Sequence, residues 1–343
     1  MSAIGERNHR VVLRHRIEGV PRAADFEVVA APVPELRPGQ FLLRHRYISL
    51  DPYQRTIIAG RYRETPLGTG DMPPAETVGE VIRSRHERFR VGDRVRHIGG
   101  WQEYSIGDGE RAFVVDERAP LSTSLGVLGM PGLTAWASAV QLAAVCAGQT
   151  ALVSAAAGPV GATFGQIAAQ RGARAVGIAG SDEKCRVVTE QFGFAACVNY
   201  RHPGFREQLQ QAVGEGADCY HDNVGGQMLV DALAVLKPYG TVVLCGLITQ
   251  YNTPDAERRF EFNLGLPIMK RAVMKGLVVN DFEPQRQQFL DEVAPLVATG
   301  AIRYLEDRVH GIEQTGAHFA RLMRGENVGK ALVVLGDAVT GSE

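Results

Sequence analysis

Lysine is scarce in this chain. Of 37 basic residues only five are lysines, so each one stands out. Neither sign of charge dominates, because 38 acidic residues leave a formal net charge of −1. That balance gives no electrostatic footprint for nucleic acid or for an anionic membrane surface, and neither is expected as a partner. Cysteine is scarce as well. Cys146, Cys185, Cys197, Cys219 and Cys245 are odd in number, widely spaced and without a CxxC pair. This argues against a disulfide framework and a four-thiolate structural zinc. Reduced, mostly buried thiols in a cytoplasmic protein are expected instead. Met1 to Arg16 is polar and lacks the apolar stretch of a secretory leader. Charged residues and histidine are missing altogether from Ala119 to Gln170. A membrane span needs about 20 mainly apolar residues. Here Pro131-Gly132, Gly148-Gln149 and Gly158-Pro159 break the stretch, which suits short elements inside a globular core.

What is present is enough for ordinary folding. The 343 residues are 45% hydrophobic and 22% charged, which excludes global disorder and allows about two domains. Residues 1–125 carry short β-like runs: Arg10–Leu13, Gln40–Tyr47, Glu76–Ile82, Arg94–His97 and Ala112–Val115. Turn signals such as Arg37-Pro38-Gly39 and Val91-Gly92-Asp93 separate them, predicting a β-rich domain. The texture then changes. Apolar runs at Thr150–Ser154, Arg174–Ala179, Ala196–Asn199, Cys219–Asn223 and Gly240–Leu244 alternate with helical patterns. That alternation predicts a parallel sheet covered on both faces. A last β-like run, Lys330–Leu335, is expected to rejoin the first domain's sheet.

The chemistry concentrates at Ala155-Ala156-Ala157-Gly158-Pro159-Val160-Gly161, between a strand and a helix. A dinucleotide site needs a tight turn there, bare backbone near the pyrophosphate, and a small residue where helix meets strand. The helix N-terminus then offers unpaired N–H groups to phosphate. Ala155 stands where the first glycine of GxGxxG is usual, while Gly158 and Gly161 hold the other two positions. Pro159 suits the first helical turn, though it gives up a donor. The second strand ends at Ala179-Gly180-Ser181, without the carboxylate that usually binds NAD's ribose. Ser181, Lys184 and Tyr200 can instead receive a 2′-phosphate, which favours NADPH. Asp182 and Glu183 keep NADH open, although acids in a first helical turn also complement the helix dipole.

Further segments follow in order: Ser49-Leu50-Asp51-Pro52-Tyr53-Gln54-Arg55, Gly92-Asp93-Arg94-Val95, Trp101–Ile106, Gly129–Trp136, Ala179–Lys184, Asp222–Gly226, Cys245–Asn252 and Gly325–Lys330. With this set the chain resembles the zinc-free double-bond reductases of the medium-chain dehydrogenase/reductase family, from about Arg44 to Leu335. The resemblance implies an α/β protein with a GroES-like β-rich catalytic domain and a Rossmann doubly wound parallel-sheet domain. The expected boundaries are 1–128 for the first domain, 129–300 for the second and 301–343 for the return. It also implies NADPH, a small-molecule substrate with an activated double bond, and a homodimer. Carried over residue by residue, Gly158 to Gly161 would cradle the pyrophosphate, and Lys184 and Tyr200 would hold the 2′-phosphate. Asn223 would sit near the cofactor, and Asn327 would contact it from the C-terminal return. Cys245, Gly246 and Tyr251, with Leu277, Val278 and Val279, would line the nicotinamide end. Two departures, Met72-Pro73-Pro74-Ala75-Glu76 and Gln54, fall in the catalytic domain and bear on substrate fit.

Zinc enzymes of the same superfamily need an early Cys and a Gly-His-Glu pair. Here Gly-His-Glu is missing, Asp51 holds the segment of the early Cys, and no metal is expected. His45, His86 and His97 are expected on β-domain surfaces. Conjugate reduction needs no Lewis acid if a hydroxyl stabilises the charge growing on the substrate carbonyl. Tyr251 is the candidate donor, with aromatic packing as its other role; Tyr53 is a candidate for the pocket wall. Cys245 lacks a His partner at motif spacing and is expected to pack rather than attack. A quinone reductase of the same superfamily, an alcohol dehydrogenase acting in the oxidative direction, and a non-catalytic NADPH-binding protein are the alternatives. An exposed sheet edge near Gly240–Leu244 could pair across the homodimer, which the residues alone do not fix.

Overall fold

The computed structural model describes residues 7–61, 65–254 and 257–336, so the first six residues of the polar N-terminus lie outside the described residues. The chain divides into two compact units. One comprises Met1–Leu125, Glu306–Asn327 and Ala331–Glu343; the other comprises Gly126–Leu305 and Val328–Lys330. The early strands are β1 (Arg7–Leu13), β2 (Phe26–Pro32), β3 (Phe41–Ser49), β4 (Glu76–Ser84), β5 (Arg94–Ile98), β6 (Tyr104–Gly107) and β7 (Phe113–Val114). The second unit carries β8 (Thr150–Ser154), β9 (Arg174–Ala179), β10 (Ala196–Asn199), β11 (Ala217–Asp222), β12 (Leu236–Leu244) and β13 (Val273–Gly276). Near the C-terminus come β14 (Glu306–His310) and β15 (Lys330–Val334). The helices used below are α1 (Gln54–Ile58), α2 (Met130–Trp136), α3 (Pro159–Gln170), α4 (Asp182–Glu190), α5 (Phe205–Val213), α6 (Gln227–Ala234) and α7 (Gly265–Lys270).

In the first unit β1 and β2 form a two-stranded ribbon. The larger sheet runs β14-β15-β3-β4-β5-β7, with β6 added on β3. The strand at Lys330–Val334 does join this sheet, pairing antiparallel with β3. Its core gathers Phe41, Leu43, Val81, Phe89, Val95 and Ala112, all buried. Two histidines depart from expectation. His45 and His97 are buried, not at the surface, while His86 is half-exposed. Both buried rings share the Ser105 hydroxyl, at 2.6 and 2.7 Å from their Nε2 atoms. A hydroxyl can donate to one ring and accept from the other, so burial is tolerated without charge. Desolvation lowers His45 to about 3 and His97 to about 4.

In the second unit the sheet order is β10-β9-β8-β11-β12-β13, with every registered pair parallel. The order reverses between β8 and β11, which is the switch point where doubly wound folds bind ligands. Alternate residues point to opposite faces. Leu152, Val176, Ile178, Tyr220 and Val242 bury one face under α5 and α6 through Leu209, Val213, Leu229 and Leu233. On the other face Phe164 of α3 stacks on His221 at 5.0 Å between ring centroids. Helices therefore cover both faces, as the continuous apolar strands require. The charge-free stretch resolves into α2, β8, α3 and short turns. Among the described residues no helix is long and apolar enough to cross a membrane. The strand at Gly240–Leu244 is no edge: β12 pairs with both β11 and β13, and the sheet's edges are β13 and β10.

Candidate functional site

The turn after β8 carries the first part of the site. Ala155 adopts φ 53°, the left-handed conformation that glycine takes without strain. Its carbonyl accepts from Gly158 N–H at 2.9 Å, which closes the turn. Gly158 is the N-cap of α3 and Pro159 occupies the first turn. The two glycines differ in kind. A Cβ on Gly161 would lie 2.5 Å from the Ala155 oxygen and 2.9 Å from the Ala156 Cα, so helix and turn pack through it. A Cβ on Gly158 would meet only the Ala155 oxygen at 3.3 Å, with nothing else near. Gly158 thus leaves open space above the N-terminus of α3, beside Val160. First-turn N–H groups have no intrahelical partner, and a pyrophosphate fits such a cradle.

Across the switch point β8 and β11 are tied by side chains. Asn223 Nδ2 donates to the Ser154 carbonyl at 2.8 Å. That fixes the amide orientation, so Asn223 Oδ1 accepts from His221 Nε2 at 3.2 Å. His221 Nδ1 then accepts from the Ser138 hydroxyl at 2.6 Å. Burial lowers His221 to about 4 and keeps it neutral. Asp222 is fully buried beside it. Its Oδ1 accepts from Tyr220 Oη at 2.8 Å and from the N–H groups of Val224 and Gly225, both at 3.0 Å. The Asp222 carbonyl in turn accepts from Cys245 and Gly246 N–H at 2.9 and 3.0 Å. Desolvation, then the Asp222 carboxylate, pushes the Cys245 thiol up to about 12, so it stays protonated and is no nucleophile near neutrality.

The segment after β12 continues the row. Leu247 N–H donates to Tyr251 Oη at 3.3 Å. Leu277 N–H donates to the Leu244 carbonyl at 2.9 Å, which seats Leu277 beside Cys245. Val278 is exposed and Val279 half-buried. At the opposite end, the Ser181 hydroxyl caps α4 by accepting from Lys184 N–H at 3.2 Å. The Tyr200 ring packs over Gly180, its carbon 3.1 Å from where a Cβ would be. Asp182 accepts from Asn199 at 2.8 Å, which gives that carboxylate a structural partner.

The second unit therefore brings most of the expected residues to one end of one sheet. Along the strand order they read Tyr200, Ser181 with Lys184, Gly158 to Gly161, Asn223, Cys245 to Tyr251, and Leu277. Gly329 N–H donates to the Ala157 carbonyl at 2.8 Å, two residues beyond Asn327. Asn327 itself and Tyr53 belong to the first unit. Tyr53 precedes α1; burial, then the Asp51 and Glu76 carboxylates, holds its hydroxyl well above the usual phenol range.

Comparison with known proteins decides the family. Residues 9–115 match the profile described as the N-terminal domain of oxidoreductase, and residues 159–297 match the zinc-binding dehydrogenase profile. NADPH-dependent curcumin reductase of Escherichia coli is 36% identical over 97% of this chain and 98% of its own. Prostaglandin reductase 1 of Bos taurus is 38% identical, covering 94% of this chain and 97% of its own. The chain belongs to the medium-chain dehydrogenase/reductase family. Among solved structures, CurA of Vibrio vulnificus in complex with NADPH superposes with a TM-score of 0.89 at 34% identity, covering 96% of this chain and 100% of that one.

Within this dehydrogenase/reductase, several residues escaped the sequence reading. Asp222, His221 and Ser154 form the scaffold under Asn223, and the Asp222–Gly226 motif hinted only at Asp222. Arg201 brings its guanidinium 5.7 Å from the Tyr200 ring centroid, a second cation at the Lys184 end. One expectation fails: of the cysteines only Cys219 is buried, three are intermediate and Cys146 is exposed. Despite the zinc-binding description of one profile, the described residues hold no group of three His, Cys, Asp or Glu able to grip a metal.

Proposed function

We propose that this enzyme uses NADPH to reduce the carbon–carbon double bond of α,β-unsaturated ketones or aldehydes. The row of strand ends carries the reading, in a chain whose relatives are named NADPH-dependent curcumin reductase, prostaglandin reductase and 2-alkenal reductase. NADPH, when bound, would supply the hydride for the β-carbon of the alkene, and a solvent proton would complete the reduction at the α-carbon.

The chain's own residues do the rest. Gly158, Pro159, Val160 and Gly161 seat the pyrophosphate on the positive end of α3. Lys184 supplies the counter-charge for the 2′-phosphate, with Ser181 and Tyr200 as hydroxyl donors. Asn223 is held from both ends of its amide and gives a rigid floor at the switch point. Cys245, Gly246, Leu277, Val278 and Val279 line the nicotinamide end. Tyr53 and Asn327 are carried as pocket wall and cofactor contact. Tyr251 donates its proton's hydrogen bond to the carbonyl oxygen as negative charge grows there, a contribution of about 2.7–4 kcal/mol for an oxyanion donor.

The test mixes purified protein, NADPH and a medium-chain 2-alkenone, and follows loss of nicotinamide absorbance. Fast loss with NADPH and slow loss with NADH is the expected result. Tyr251→Phe should then lower kcat about a hundredfold. Tight NADPH binding without turnover of any activated alkene would sink the reading.

A homodimer and a cytoplasmic setting belong to the same proposal. Leu264, Ile268 and Met269 in and beside α7, with Val273 and Met274 on edge strand β13, expose apolar surface at 36–71%. Patches of this kind mark protein contacts. Five free thiols suit a reducing compartment. Sedimentation at micromolar concentration should give twice the chain mass, and Ile268→Lys should shift it towards monomer.

A further inference from the structure

Two cysteines lie together where the cofactor reading places the 2′-phosphate. Cys185 sits in the first turn of α4, directly after Lys184, and Cys197 sits on β10, three residues before Tyr200. Their Sγ atoms are 3.1 Å apart. Gly177 makes the room: a Cβ there would stand 3.3 Å from the Cys197 Sγ and 2.7 Å from the Ala156 Cβ. Cys197 thus occupies space that a side chain at Gly177 would otherwise crowd. Both thiols are half-buried, not sealed in the core.

We infer that Cys185 and Cys197 are a modification site: a hydroperoxide links them as a disulfide, and the link weakens NADPH binding. The second half rests on the proposed role of Lys184 and Ser181.

The two sulfurs are not equivalent. Cys197 donates its hydrogen to Cys185, which lowers the Cys185 pKa and raises that of Cys197. Burial and the Asp182 carboxylate oppose the shift at Cys185, and the net direction is still downward. In the first step the Cys185 thiolate attacks one peroxide oxygen. The O–O bond breaks, the leaving oxygen takes a proton as water, and Cys185 becomes a sulfenic acid. In the second step the Cys197 sulfur gives up its proton and attacks the Cys185 Sγ. The S–O bond breaks and a second water leaves. Two thiols and one hydrogen peroxide become one disulfide and two waters; the sulfurs are oxidised and the peroxide oxygens reduced. A disulfide needs its sulfurs at about 2.05 Å, so about 1 Å closes between Cys185 and Cys197, by side-chain rotation together with a shift of the first turn of α4 towards β10. That movement carries the Ser181 cap and Lys184 with it.

The test treats the whole protein with hydrogen peroxide, quenches it, and maps peptides without reduction. A Cys185–Cys197 linked peptide is expected, with Cys219 unlinked. NADPH and NADH affinities are then measured before oxidation, after it, and after reduction by a dithiol. NADPH affinity should fall at least fivefold and recover on reduction, while NADH affinity, which involves no 2′-phosphate, stays within twofold. Cys197→Ser and Cys197→Ala should each bind NADPH normally and lose the peroxide response. No linked peptide, or a linked protein with unchanged NADPH affinity, overturns the inference. An equal fall for both cofactors overturns it too, as general damage. Lys184→Ala separates the two readings: if it leaves the NADPH-to-NADH preference intact, the cofactor assignment fails whatever the cysteines do.

Discussion

Replacing Gly158 and Gly161 one at a time by alanine separates a packing glycine from a binding glycine. The structure predicts opposite phenotypes. At Gly161 the new methyl would meet backbone at 2.5, 2.9 and 3.0 Å, and backbone cannot swing aside as a side chain can. Overpacking of this sort costs about 1–3 kcal/mol. Alanine's better helix propensity returns about 1 kcal/mol at most. Backbone contacts this short put the cost at its upper end, so Gly161→Ala should destabilise the protein by about 2 kcal/mol. At Gly158 the methyl would meet one oxygen at 3.3 Å, and φ is −87°, which alanine adopts freely. The poorer N-cap and the stiffer unfolded chain each contribute under about 1 kcal/mol with opposite signs. Stability should stay within about 0.5 kcal/mol of wild type. The same methyl occupies the space above the helix N-terminus where the pyrophosphate is proposed to lie. Losing one charge-assisted hydrogen bond costs about 1.5–3 kcal/mol, so NADPH affinity should fall about ten- to hundredfold. The assay pairs urea midpoints with NADPH fluorescence titration on both variants. If Gly158→Ala binds NADPH like wild type, the cradle assignment is wrong. If Gly158→Ala unfolds as early as Gly161→Ala, the contact geometry has been misread.

Three further outcomes are expected. Ala155→Gly should stabilise the protein by about 0.5–1 kcal/mol, read as a higher urea midpoint, because relief of about 1–2 kcal/mol in the left-handed region outweighs glycine's unfolded-state entropy of about 0.4–1 kcal/mol. Lys184→Ala should weaken NADPH by about tenfold or more and leave NADH alone, read by titration with each cofactor. The third concerns pH. His45, His97 and His221 sit at about 3, about 4 and about 4 when folded, against about 6.5 unfolded, so only the unfolded chain takes up protons between those values. Their contribution is intact above about pH 6.5 and is lost as pH falls towards about 4, by at most about 1.4 kcal/mol per histidine per pH unit. Urea midpoints at three pH values should show the loss, and His45→Gln should reduce its slope; a flat profile would contradict neutral burial.

Several features were legible in the sequence for local reasons. β8, β9 and β10 coincide with the runs predicted for them; β8 and β9, buried on both faces, are written as apolar segments bounded by turn residues. The glycine turn was legible because its spacing answers to a backbone need that few residues meet. Edge strand β13 was not. β13 reads Val-Met-Lys-Gly, too short and mixed to stand out, so the edge was misplaced onto β12. The buried histidines were misread for a related reason: a polar residue inside a strand looks like a surface position until its partner is known. Ser105 lies 60 residues beyond His45 in the chain.

By itself the sequence determined the two-part α/β plan, the strand–turn–helix at Ala155–Gly161 and the lack of a carboxylate at the tip of the second strand. These are written in contiguous residues and follow from local periodicity and backbone chemistry. Only the tertiary structure decided which glycine packs and which leaves space, since that depends on the distance from α3 to the turn beneath it. It also decided that Asn223 is pinned across the switch point, and that two cysteines 12 residues apart meet at their sulfurs. Pairings of this kind are set by how parallel strands and their crossover helices stack, and no spacing along the chain encodes them.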